Sequence, residues 1–299
     1  MKIFKFGGAS VKDSDGVKNL VKILNYLGQQ QTLIVISAMG KTTNSLELLV
    51  KNYFDNKDDL QYSLNEVFNF HNKILDDLFK EDNHQIFSDV KEVFENLRGF
   101  LKRNKSPDYS FVYDQVVSFG EILSTKIINS YLNYSNIRCN WVDARVLIKT
   151  DSKYRDANLN WEITKASISK NIDTKLLNIT QGFIGCTSEN FTTTLGREGS
   201  DFTAAILSYV LETEEVVIWK DVDGMLNADP RFFDDAQLLN QLSFSEAIEL
   251  AYFGAKILHP QSIRPAKDAN IPVKLLNTLK PEAKGTPPYK VETSFLFLV

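Results

Sequence analysis

Cysteine is scarce: Cys139 and Cys186 are the only two in 299 residues. Two cysteines cannot build a disulfide framework for so long a chain, and a reducing compartment fits better. No apolar run approaches the ~18 residues that cross a bilayer. The N-terminus, MKIFKFGGAS, has no apolar signal core before its glycines. Charge of one sign is also missing. Lys and Arg total 34 against 38 Asp and Glu, a net charge of -4, with no long basic stripe. Nucleic acid is therefore not the expected partner, nor is a membrane. The three histidines, His71, His84 and His259, stand at no metal-ligand spacing to a cysteine or to one another. No protein-built metal site and no Ser-His-Asp or Cys-His arrangement is expected. Internal repeats and low-complexity tracts are absent. The reading is a soluble cytoplasmic protein.

What is present is an ordinary globular composition, 43% apolar, in a chain long enough for a substantial core. Residues 3–6 form a short apolar segment ending at Gly7 and Gly8. Val17, Leu20, Val21, Leu24 and Leu27 follow at helical spacing, and TLIVIS at 32–37 reads as a buried strand. Strand, helix and strand in under 40 residues make a βαβ unit. Residues 45 to about 105 carry Leu and Phe at three- and four-residue spacing and no proline. They read as an all-helical insertion, a lid or flank. Further strands are expected at 138–142, 177–185, 215–220 and 272–276, and helices at 113–132, 200–211 and 243–255. The fold class is α/β, a mainly parallel central sheet with helices on both faces. Ligands of such sheets sit beyond the C-terminal strand ends. That singles out the loops at 7–10, 37–44, 185–201 and 220–231.

Those loops carry chemistry. In FKFGGAS, Lys5 lies in the strand and two glycines open the turn; a plain tight turn or an anion cradle both fit. SAMGKTTN at 37–44 ends like a Walker A loop, but that motif needs a glycine where Val35 stands, so a P-loop is excluded. A cluster of helix-capping residues or a small polar ligand site remain. Glu121, in SFGE, is either solvent-exposed or buried against a partner such as a ligand ammonium. WKDVDGMLNADPR at 219–231 crowds Lys220, Asp221, Asp223, Asp229 and Arg231 into one loop without EF-hand spacing. It suits a nucleotide with Mg²⁺, or simply a turn rich in Asp and Pro.

The order of these stretches is more specific than any one of them. KFGGAS, SAMGKTTN, FGE, TQGFIG, TTTLGREGSDFTAA, WKDVDGMLNADPR, ELAYFGAKILHP and IPVKLLNT together closely resemble the catalytic domain of the aspartokinases, within the amino-acid kinase family. The resemblance covers residues 2 to about 286. It implies an amino-acid kinase or carbamate kinase-like fold over 1–286, with the helical insertion at 45–105 and a short tail at 287–299. It implies transfer of the ATP γ-phosphoryl group to the β-carboxylate of L-aspartate, with ATP and Mg²⁺ required. By the same resemblance Lys5, Gly7, Gly8 and Ser10 hold the phosphates, and Lys5 stabilises the transferring group. Ser37, Thr43 and Phe183 shape the aspartate site. Glu121 pairs with the substrate ammonium and Arg197 grips its α-carboxylate, with Ser200 and Asp201 supporting that clamp. Lys220, Asp221, Asp223, Asp229, Arg231 and Lys256 line the nucleotide site.

Two departures accompany the resemblance. Glu198 stands where the family commonly has glycine. Only about a dozen residues follow Gly285 and Thr286, where aspartokinases usually continue into two ACT regulatory modules. No ACT module, and no feedback inhibition through one, is expected; a homodimer is left open. A kinase acting on another acceptor of the same family, and a non-catalytic subunit, are the alternative readings.

Overall fold

The computed structural model describes residues 1–28, 31–55, 57–80, 84–227, 233, 235–239, 243–252, 259, 261–283 and 285. Strand β1 (Lys2–Phe6), helix α1 (Ser14–Leu27) and strand β2 (Thr32–Ile36) form the expected opening unit. Asp13 caps α1 by accepting from the Gly16 N–H. Helices α2 (Thr42–Asp55), α3 (Leu60–Leu78), α4 (Gln85–Arg103) and α5 (Tyr109–Tyr134) follow. Then come β3 (Asn140–Val142), α6 (Ala144–Leu147), α7 (Trp161–Asn171), β4 (Asn178–Gln181), β5 (Ile184–Cys186) and β6 (Thr192–Thr194). The described chain continues with α8 (Gly199–Leu211), β7 (Glu215–Lys220), α9 (Phe244–Tyr252), α10 (Arg264–Asp268) and β8 (Val273–Asn277).

Six strands form one sheet in the order β3-β4-β2-β1-β7-β8, every pair parallel. Because side chains alternate along a strand, each strand serves two cores. Phe4, Phe6, Ile34, Ile36, Val217 and Trp219 face a cluster built with α1 to α5. Ile3, Leu33, Val35, Val216 and Ile218 face a second cluster built with α6 to α10.

Three expectations need correction. Residues 45–105 are helical, but α2, α3 and α4 bury Leu49, Leu75, Phe94 and Leu97 in the same cluster as β1 and β2. Their apolar stripes make them a wall of the core, not a lid. The single strand expected at 177–185 breaks at Gly182 and Phe183, where Phe183 takes φ +70. The chain leaves the central sheet there, and β5 pairs antiparallel with β6. Helices α6 and α7 have no counterpart in the sequence reading, since the apolar stripe of α7 is thin; the Asn160 side chain caps it by accepting from the Ile163 N–H. Among the described residues no helix is long and apolar enough to cross a membrane.

Candidate active site

The C-terminal ends of β1, β2, β4 and β7 converge on one region. Lys5 and Ile218 are paired across β1 and β7, so Lys220, two residues on, shares their face. That face is covered by α8, which places Asp201 in its first turn. The Lys5 ammonium lies 2.6 Å from Asp201 Oδ1, and the Lys220 ammonium lies 3.8 Å from Oδ2. The Asp201 side chain is wholly buried. Burial opposes its ionisation, but Lys5 and then Lys220 outweigh burial and hold its pKa below the ordinary value. The α8 N-terminus favours the same negative charge. Two ammoniums thus face one buried carboxylate at the end of the sheet.

Gly7 and Gly8 roof the trio. A Cβ on Gly7 would lie 3.7 Å from Lys5 Nζ. One on Gly8 would stand 2.6 Å from the Ala38 carbonyl oxygen and 3.1 Å from that of Gly40. No side chain fits between these two loops. The Gly40 N–H donates to the Gly8 carbonyl at 3.0 Å, locking them together. Ser10 is buried, its hydroxyl donating to the Trp219 carbonyl at 3.2 Å, so it ties the turn to β7.

Across the β2 loop stands Glu121, buried in α5 rather than solvated. Its Oε1 accepts the Ala38 N–H at 3.3 Å, while Oε2 has no hydrogen-bond partner. Burial pushes its pKa up to about 8, the backbone N–H bonds only partly offsetting this. Ser37 is held at both backbone ends: its N–H donates to the Phe6 carbonyl, and its carbonyl accepts the Ser124 hydroxyl at 2.8 Å. Thr43 stands half-buried in the first turn of α2.

The third wall is the link from β4 to α8. The Phe183 N–H donates to Thr203 Oγ1 at 3.0 Å, and the Thr203 hydroxyl donates to the Gly199 carbonyl. A Cβ on Gly199 would meet the Phe183 ring at 2.5 Å, and one on Gly182 would overlap Ser200. The two segments interlock through their glycines. Arg197 is exposed on the loop before α8, and Gly196 beside it takes φ +75. Glu198 takes φ +54, a left-handed conformation suited to glycine.

Most of the residues singled out from sequence gather here, with differences. Asp201 joins Lys5 and Lys220 and makes no ion pair with Arg197 among the described residues, because its position in α8 turns it toward the sheet. Asp223 is engaged by the Asn277 amide at 2.6 Å and the Lys280 ammonium at 2.9 Å, and so fastens its loop to the end of β8. Asp221 is exposed just past β7. Asp229, Arg231 and Lys256 lie outside the described residues. Sequence reasoning missed Ser124 and Thr203, which hold Ser37 and Phe183; small hydroxyls on apolar helices were the available signal. It also missed Asp114, a carboxylate inside the apolar run VYDQVV.

The amino acid kinase family matches residues 1–277 of this chain. The chain belongs to the amino acid kinase family. Aspartokinase 1 of Arabidopsis thaliana, a chloroplastic enzyme, is 34% identical over 295 residues, which is 95% of this chain and 51% of the relative. The chloroplastic bifunctional aspartokinase/homoserine dehydrogenase 1 of Zea mays is 33% identical, over 95% of this chain and 32% of its own. The chain thus spans between a third and about half the length of these curated relatives. Among solved structures, E. coli aspartokinase III in complex with lysine and aspartate superposes with a TM-score of 0.88 at 31% identity, covering 99% of this chain and 66% of that one. Carbamate kinase from Giardia lamblia shares the fold, with a TM-score of 0.56 at 10% identity. The parallel six-strand sheet is the fold these structures share with this family member.

Proposed function

We propose that the protein transfers the γ-phosphoryl group of ATP to the β-carboxylate of L-aspartate, giving 4-phospho-L-aspartate and ADP. One observation carries the reading: Lys5 and Lys220 meet at buried Asp201 beneath a glycine turn, and Glu121, its Oε2 without a hydrogen-bond partner, stands across the loop. A polyanion suits the first and an ammonium the second. The likeness to aspartokinases supports the same acceptor.

The nucleophile is a carboxylate of reference pKa ~3.9, ionised at neutral pH, so no general base is required. The obstacle is repulsion between an anion and a polyanion. Positioning and positive potential must overcome it. Lys5 and Lys220 supply the potential, and Asp201 holds both ammoniums at the end of the sheet. Gly8 admits the phosphates against bare backbone. Glu121 receives the substrate ammonium and Arg197 its α-carboxylate, as a bidentate fork. Ser37, Thr43, Phe183 and Ser200 bound the space between. The residues present fit ATP on the Gly8 cradle beside Lys5 and Lys220. Mg²⁺ bound with the nucleotide would supply further neutralisation on the phosphates.

The test is ATP- and Mg²⁺-dependent acyl phosphate formation trapped with hydroxylamine. L-Aspartate is compared with L-glutamate and N-acetyl-L-glutamate, with Arg197→Ala as control. Turnover with aspartate alone, lost in the variant, is expected. Turnover with another acceptor moves the assignment within the family. A folded protein that binds ATP and turns over none of them is a non-catalytic subunit.

A further inference from the structure

We propose that Asp114 is the positioning residue of the substrate-clamping loop, holding the root of Arg197 in place; this rests on Arg197 being the carboxylate clamp. Asp114 is fully buried in α5 and touches none of Lys5, Lys220 or Glu121 through any hydrogen bond or ion pair among the described residues. Its carboxylate is nonetheless saturated. Oδ1 accepts the Thr194 hydroxyl at 2.7 Å and Oδ2 accepts the Thr194 N–H at 2.8 Å. The Arg155 N–H is shared between both oxygens at 3.1 and 3.0 Å.

These donors belong to the two segments that frame Arg197. Thr194 ends β6, three residues before it. Arg155 precedes Asp156, whose Oδ1 would lie 2.8 Å from a Cβ on Gly196. The two segments are also bonded to each other, the Ala157 N–H donating to the Thr194 carbonyl at 3.0 Å. The next residue of α5 continues the pattern: Gln115 donates to the Thr192 carbonyl at 2.7 Å and accepts the Thr192 N–H at 3.1 Å. Asp114 and Gln115 thus take the place of a missing strand along the outer edge of β6. Arg155 adopts φ +70 to present its N–H, a strained conformation that the carboxylate bonds offset. Its guanidinium then stacks 4.4 Å from the Tyr113 ring centroid.

Burying a carboxylate is costly unless it is fully bonded, and a neutral amide cannot accept from all three donors. Charged acceptors make the stronger bonds. Burial raises the Asp114 pKa to about 6 against the lowering by these bonds and by Arg155. The groups facing it are Arg155 and Tyr154 from the loop, Tyr113 on α5, and only neutral threonine on β6; Glu47 of α2 faces Arg155 at 4.0 Å. Protonation below about pH 6 therefore weakens the hold on Thr194 and Arg155.

The experiment is steady-state kinetics of Asp114→Asn, Thr194→Val and Thr194→Ser with aspartate and ATP between pH 5 and 8. Expected for Asp114→Asn is an aspartate KM raised about tenfold, with kcat and the ATP KM within about twofold. The wild-type rise in aspartate KM below pH 6 disappears in this variant. Thr194→Ser matches the wild type, while Thr194→Val raises the aspartate KM about threefold. A merely structural role would lower kcat through loss of folded enzyme and leave both KM values alone; that result, or an aspartate KM unchanged in Asp114→Asn, overturns the proposal. If Asp114→Asn does not fold, the Thr194 pair decides by the same criterion. If the wild type fails to phosphorylate aspartate, the functional reading falls by itself, and amide hydrogen exchange over 190–199 decides: about tenfold faster exchange in Asp114→Asn upholds the positioning role, and unchanged exchange overturns it.

Discussion

At the scale of single residues, Glu121 shows how a buried carboxyl, here the proposed ammonium partner, weakens the fold that carries it. The unfolded chain ionises this carboxyl near 4.5, the folded one near 8. As pH rises between those values the unfolded state sheds a proton that the folded state keeps, so stability falls, and above pH 8 the full cost of roughly 3–5 kcal/mol is felt. Glu121→Gln is expected to be more stable than the wild type at pH 9 and similar at pH 4, by urea unfolding at both, while losing aspartate binding. Aspartate binding to the wild type at pH 7 should release a proton as its ammonium draws Glu121 into the charged form; calorimetry in buffers of different ionisation enthalpy reads this, and the release is absent from Glu121→Gln. Glu198 is the second case. Its left-handed backbone is one that glycine adopts without strain. Glu198→Gly should stabilise the protein by about 1 kcal/mol, seen as a higher urea midpoint at unchanged slope.

At the scale of elements, α8 matters more for how its first turn is docked than for its length. Gly199 lets that turn approach Phe183, where a Cβ would come within 2.5 Å of the ring. Gly199→Ala must push α8 or Phe183 aside, and overpacking of this kind costs about 1–3 kcal/mol. A lower urea midpoint together with a raised aspartate KM is the expected result. The elements themselves were partly legible. The spacing of Val17, Leu20 and Leu24, and the run TLIVIS, reported α1 and β2 because periodicity encodes which face is buried. It does not encode which polar group completes a site. Asp114 and Thr194 lie 80 residues apart, and nothing local links them. The bend at Phe183 was hidden for a similar reason: the apolar run passes through it, while its cause is contact with α8. Asp201 was singled out, but its ion pairs with Lys5 and Lys220 were not legible, since the facing of a first-turn side chain depends on how its helix sits on the sheet.

At the scale of the molecule, loops after four strands and side chains from α5 and α8 make one site, so occupancy is felt by the whole fold. At 100 times its Kd a ligand adds about 2.7 kcal/mol. For a chain of this size that is a rise in Tm of about 4 °C. ATP with Mg²⁺ and aspartate should each give such a shift in thermal unfolding, and Arg197→Ala should lose the aspartate shift while keeping that of ATP. The two-faced sheet has a further consequence. Lys5 shares its face with Ile3, while Phe4 and Phe6 occupy the other. A one-residue slip of β1 would turn Lys5 away from Asp201, and the same slip would swing both phenylalanines out of their core. Parity therefore acts as a proofreading device. A molecule with β1 misregistered is not a folded protein with a faulty site; it is not folded at all, and in a refolded preparation any lost ligand binding would count misfolded chains one for one.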